Sequence, residues 1–128
     1  MSIETTRPAL LSDTTWRVIA YRDRNQQLVT MLEGAEVTAH FFPDGRLAGR
    51  AGCNNYRANY TTGDESQIHV GPIATTRMLC PEPAGVMEQE GAYLAALALA
   101  TTYTVIARGL MMFADSGDLV VQCVLSAG

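Results

Sequence analysis

The stretch Val37-Thr38-Ala39-His40-Phe41-Phe42-Pro43-Asp44-Gly45-Arg46-Leu47-Ala48-Gly49-Arg50-Ala51 decides the fold class. Its first six residues alternate along an extended chain. Val37, Ala39 and Phe41 share one side, while Thr38, His40 and Phe42 share the other. Pro43-Asp44-Gly45 then breaks the run. Proline presets φ for the first central residue of a turn, and glycine accepts the positive φ that follows. Residues 46–51 return as a partner strand, so 37–51 reads as a β-hairpin.

Period two continues on both sides of this hairpin. Upstream, residues 16–21 form a strand candidate with Trp16, Val18 and Ala20 on one face. A polar turn at 23–26 leads to a weaker strand over 27–31. Downstream, Gly49, Gly52, Asn54 and Asn55 punctuate the chain, as glycine does at bulges and barrel corners. Strands are expected at 56–61 and 67–70, and a further extended run at 73–78. The period changes after Pro81-Glu82-Pro83. Val86, Met87, Tyr93, Leu94, Leu97 and Ala98 fall at helical spacing, and the acidic Glu82 and Glu88 suit a helix N-terminus. Three strands close the chain at 102–107, 110–114 and 119–125, joined by Arg108-Gly109 and Asp115-Ser116-Gly117-Asp118. The expected architecture is mostly β (α+β): a small antiparallel, lipocalin-like, partly open β-barrel with one amphipathic helix covering one end.

Composition narrows the function classes. The chain has 128 residues, which suits one domain, and 48% of them are hydrophobic against 17% charged, a balance that supports a core. The formal net charge is −4, and the nine basic residues are scattered. A nucleic-acid partner is therefore not expected, and neither is an anionic membrane surface. No run approaches the roughly 18 apolar residues of a membrane span, so direct membrane insertion is not expected. The start, Met1-Ser2-Ile3-Glu4-Thr5-Thr6-Arg7-Pro8, lacks a basic region followed by an apolar stretch. Residues 1–12 read as a flexible segment or linker, and 13–128 as the domain.

Three segments stand in a specific order. The first is 43–49 followed by Ala51-Gly52-Cys53-Asn54-Asn55-Tyr56. The second is Ile73-Ala74-Thr75-Thr76-Arg77-Met78-Leu79-Cys80, and the third is Met87-Glu88-Gln89-Glu90 leading to Tyr93-Leu94-Ala95-Ala96-Leu97. With Trp16 in the first strand, this set resembles the META domain family, the group typified by the heat-shock protein HslJ, from about residue 13 to 125. The resemblance implies a small β-barrel with a single helix. It implies bacterial proteins that are often envelope lipoproteins, or domains attached to other envelope modules, linked to heat shock and antibiotic tolerance, with no established enzymatic activity. The expectation is thus a non-enzymatic envelope and stress module without cofactor, monomeric, acting through an unknown protein partner. The alternative is a small-molecule-binding barrel. Its place is expected to be extracytoplasmic, as a domain cut from an exported chain; without an export signal in view, the cytoplasm is the alternative.

The residues capable of chemistry are few. Cys53 and Cys80 have two readings: a disulfide joining the bend after the hairpin to the segment before the helix, or two buried thiols. Cys123, in the run Val120-Val121-Gln122-Cys123-Val124, reads as inert core. A metal centre assembled from Cys53, Cys80 and a histidine is disfavoured, because His40 and His69 lie in different strands and no metal-ligand spacing occurs. A nucleophile at Cys53 served by His40 or His69 is disfavoured too, since strands rather than a strand-to-helix elbow flank it. No catalytic residue is assigned. Glu90 falls between Met87 and Leu94 on the apolar side of the helix, where a carboxylate needs partners. Arg77 is its expected partner in a structural ion pair. Asn54, Asn55, Tyr56, Thr75, Thr76 and Arg77 form the candidate surface for a ligand or partner.

Overall fold

The computed structural model describes residue 11 and residues 13–126. Ten strands run in the order β1 (Thr14–Arg22), β2 (Leu28–Thr30), β3 (Thr38–Phe41), β4 (Arg46–Arg50), β5 (Asn55–Thr62), β6 (Ile68–Val70), β7 (Ala74–Thr75), β8 (Ala100–Ile106), β9 (Gly109–Ala114) and β10 (Leu119–Leu125). One helix, α1 (Val86–Ala98), separates β7 from β8. Every strand pairing is antiparallel, and the path through the sheet is β6-β5-β4-β3-β1-β10-β9-β8. A single bridge, Gln67 to Thr102, joins its two ends, so the sheet is nearly closed into a barrel. The expected small antiparallel barrel with one helix is the fold observed.

The alternation of residues 37–42 survives intact: Val37, Ala39 and Phe41 are buried, and Thr38, His40 and Phe42 are half-buried on the outer face. β3 and β4 form the expected hairpin, with His40 opposite Ala48 and Phe41 opposite Leu47. β1 is shared among three partners. Residues 14–17 pair with β3, residues 20–22 pair with β2 on the same edge, and β10 runs along the other edge. A register shift between Val18 and Ala20 brings Ala20 and Tyr21 inward together. A similar shift in β10 buries both Val120 and Val121, with Cys123 beneath, as expected for that residue.

Side chains fill the barrel. Trp16, Phe41, Leu47, Tyr93, Leu97, Leu110 and Met112 are almost wholly removed from water. The expected loose segment 1–12 lies outside the described residues except for Leu11. That residue is 1% exposed and belongs to the core, so the packed domain reaches back beyond Asp13. Full burial of a leucine side chain contributes roughly 1.5–3 kcal/mol, enough to offset the roughly 1–2 kcal/mol of backbone freedom lost at one residue.

Gly49 sets the spacing of the outer hairpin. A Cβ there would lie 2.1 Å from the Thr38 carbonyl oxygen and 3.1 Å from the Tyr56 ring. Tyr56, directly opposite in register, lies across this bare backbone, and its hydroxyl donates to the Thr38 carbonyl at 2.7 Å. That uses the Tyr56 proton, so in the 2.8 Å contact between the Tyr56 and Tyr93 hydroxyls Tyr93 is the donor. Burial pushes both phenols well above the ordinary tyrosine range. Gly49→Ala is expected to force β3 and β4 apart and to lower stability by about 3 kcal/mol, read from the midpoint of urea unfolding.

Candidate functional site

The helix meets the hairpin at residues that periodicity alone would leave unexplained. β4 turns into β5 through Gly52 and Cys53, closed by the Ala51 N–H donating to the Asn54 carbonyl at 2.7 Å. Gly52 has φ +112°, at the first central position of a two-residue hairpin turn, where glycine is favoured. A side chain there would also press on Val86 at the start of the helix. The turn directs two backbone N–H groups toward α1. Glu90, 6% exposed, receives them both: its Oε1 accepts from Cys53 N at 3.1 Å and from Asn54 N at 2.8 Å. Its Oε2 accepts from Asn54 Nδ2 at 2.7 Å.

Asn54 completes a second connection. Its Nδ2 also donates to the Met78 carbonyl at 3.1 Å, while its Oδ1 accepts from Met78 N at 2.6 Å and from the Thr76 hydroxyl at 2.8 Å. Both donors and both acceptor positions of the amide are therefore used. Toward Met78 the side chain behaves as a neighbouring strand would, supplying one donor and one acceptor to the backbone. This explains why only 74–75 of the expected extended run 73–78 is paired as a strand: the chain stays extended beyond Thr75, but a side chain replaces the ladder. Thr76 itself pairs with Asn55 through its backbone N–H (3.1 Å) and its hydroxyl (3.2 Å).

Cys53 and Cys80 form a disulfide that spans 27 positions, resolving the two readings of this pair in favour of the bridge. Cys123 is a free, buried thiol, pushed far above its usual range by desolvation. The segment 76–80 is thus tied at Thr76 and Met78 to Asn54 and at Cys80 to Cys53. Between these ties Arg77, Met78 and Leu79 face solvent, and Leu79 is 86% exposed.

Two sequence expectations need correction. Arg77 makes no ion pair with Glu90; it is exposed, and backbone and amide donors occupy the carboxylate instead. Asn54 and Tyr56 do not belong to an accessible surface, being 3% and 2% exposed and consumed in internal bonds. Asn55, Thr75 and Thr76 are exposed and line a concavity of about 700 Å³ on the outer sheet face, with Tyr56 at its wall. Sequence reasoning also missed Gln89. It is buried beside Glu90, and its Oε1 accepts from Leu32 N at 2.8 Å, tying the 31–37 connection to the helix. The helical spacing that singled out Glu90 applied equally to its neighbour. His40 and His69 stay apart: His40 contacts the Thr15 hydroxyl at 2.6 Å, and exposed His69 sits opposite Thr61 on β6. Among the described residues no three His, Cys, Asp or Glu side chains gather as metal ligands.

Comparison with known proteins agrees with this architecture. The META domain pattern matches residues 9–126, and the chain belongs to that family. It is similar to an NMR structure of a protein from Burkholderia xenovorans at 29% identity, covering 94% of this chain and 86% of that one, with a TM-score of 0.73. A crystal structure of a DUF4847 family protein from Bacteroides vulgatus shares the fold at 13% identity, with a TM-score of 0.61 and coverage of 91% and 94%. Curated proteins yield no significant match.

Replacing the carboxylate with an amide tests the anchor. In Glu90→Gln one of the three donors faces an NH2 group, and the expected loss is about 2–3 kcal/mol. Arg77→Ala should change stability by less than about 0.5 kcal/mol, since the side chain is exposed and unpaired. Chemical denaturation of the two variants separates this arrangement from an Arg77–Glu90 pair, which would make both costly. The disulfide makes an independent forecast. Intact mass after alkylation should show one reactive thiol, Cys123, and only in denaturant; reduction should cost roughly 3–4 kcal/mol by the chain-entropy relation.

Proposed function

We propose that this domain is a non-enzymatic protein-interaction module of the bacterial cell envelope, and that Arg77-Met78-Leu79 is the contact it presents. The observation that carries this reading is the exposure of Met78 and Leu79 on a segment tied at both ends by Asn54 and the disulfide. Apolar side chains on a tethered backbone lose less freedom on docking than those on a free loop, and buried apolar anchors dominate contact energies. The disulfide is compatible with an oxidising, extracytoplasmic setting. In support of a non-enzymatic role, Cys53 is bridged, and Cys123 is buried with its thiol held protonated. No helix among the described residues is long and apolar enough to cross a membrane. A ligand held inside the barrel gains no support, because core side chains fill the interior.

The test is site-specific photo-crosslinking in the native bacterium. A photoreactive residue in place of Leu79 is expected to capture a discrete envelope protein, and the same residue at exposed Glu65 is not. Capture of cytosolic proteins alone, or equal labelling from both sites, would refute the reading.

A further inference from the structure

The outer face of the sheet carries a second surface with a different chemistry. Two concavities, of about 700 and about 300 Å³, share Phe42, Ala48, Arg57 and Ala74, and so form one elongated trough over β3, β4, β5 and β7. It runs from Thr38 and Thr76 at one end to Asn59 and Pro72 at the other. Three arginines line it: Arg50 in the larger part, Arg46 in the smaller, and Arg57 in both. No Asp or Glu lines either part, although the chain holds 13 acidic residues against nine basic ones. The two carboxylates seen nearby meet residues of the trough itself, Arg46 and His40, and leave Arg50 and Arg57 alone. Asp44 takes Arg46 Nε at 2.9 Å, and Asp13 lies 3.7 Å from His40.

Arg50 and Arg57 have no ion-pair partner among the described residues. In register Arg50 faces Asn55 and Arg57 faces Ala48, so the two arginines are diagonal neighbours across the β4–β5 pair. Like charges at that spacing repel weakly in water, and an anion between or above them would turn the repulsion into attraction. The guanidinium fork favours carboxylate partners with two parallel hydrogen bonds. A closed pocket would suit a compact ligand, but this trough is open, long and floored by Ala48 and Ala74. Alternate residues of an extended chain are spaced like alternate residues of a strand, roughly 6.5–7 Å.

We infer that this trough is a docking site for an extended acidic segment of a partner protein, with carboxylates at alternate positions meeting Arg50 and Arg57. The inference rests on the interaction-module reading and names the partner's chemistry. The trough ends at Thr76, one residue before the displayed Arg77-Met78-Leu79, so one partner can meet both surfaces.

The experiment is an NMR titration of the full, oxidised chain with the capped pentapeptide Glu-Phe-Glu-Phe-Glu, its Lys-Phe-Lys-Phe-Lys counterpart, and glutarate alone. The acidic peptide is expected to shift the amides of Ala48, Arg50, Arg57, Ala74 and Thr75. Its affinity should fall at least tenfold in the folded R50A/R57A double variant, and it should weaken with salt. R50K/R57K should retain part of the binding. Absence of shifts, shifts elsewhere, or the same response to the lysine peptide would overturn the proposal. So would glutarate matching the peptide at equal concentration, which would make the trough a small-anion site. If Leu79 still crosslinks an envelope protein while the titration fails, the trough alone is rejected. If Leu79 captures nothing specific while the acidic peptide binds, the displayed loop is what fails.

Discussion

A single carboxylate holds the two halves of this domain in register. Glu90 sits on the inner face of α1, and the turn between β4 and β5 closes on it with two backbone N–H groups and one amide. Unbonded, each of those buried groups would cost roughly 1–3 kcal/mol. The contact is therefore stringent. Rotating the helix, sliding the hairpin or lengthening the turn would strand several polar atoms at once, whereas apolar packing tolerates small displacements. Gln89 and Tyr93 extend the same principle along the helix, one reaching Leu32 and the other Tyr56. The β2–β3 connection, the β4–β5 turn and the start of β5 are thereby oriented by polar tips on an otherwise apolar face.

Asn54 carries that order outward. It bonds to Glu90 on one side and to the backbone of Met78 on the other, so the placement of the helix and the placement of the 76–80 segment are one problem. The disulfide reinforces the same junction from the adjacent residue. A small barrel thus concentrates its polar specificity at one end, beneath the apolar side chains it exposes. The neighbouring outer face, by contrast, is built from short residues and arginines over a regular ladder.

The hairpin at 37–51 was readable because burial on one side of a strand imposes period two, and Pro43-Asp44-Gly45 leaves the chain few ways to continue. The helix was readable for the same kind of reason, and the three closing strands because their turns are short and rich in glycine. The extended run over 73–78 was half right: the backbone is held as expected, but by an asparagine side chain that no periodicity reveals. The partner of Glu90 was misassigned because reasoning from charge seeks a cation, whereas a turn with two free N–H groups meets the same need. Such groups have no signature in residue type; they exist only once Gly52 has adopted a positive φ. Leu11 has no signal of its own because the apolar run Ala9-Leu10-Leu11 is too short to carry a period.

The cysteines also have an order along the chain. Cys53 and Cys80 are consecutive, and the strands β5, β6 and β7 lie wholly between them. A polypeptide emerging from its N-terminus presents these two thiols, and the hairpin segments that bring them together, while Cys123 is still 43 positions behind Cys80. Oxidised in that order, the two partners would meet before a third thiol could compete. By the time the third thiol arrives, its place is the interior of β10, where it is sealed from exchange. Burial then does for the odd cysteine what a partner would otherwise do, keeping its thiol out of exchange.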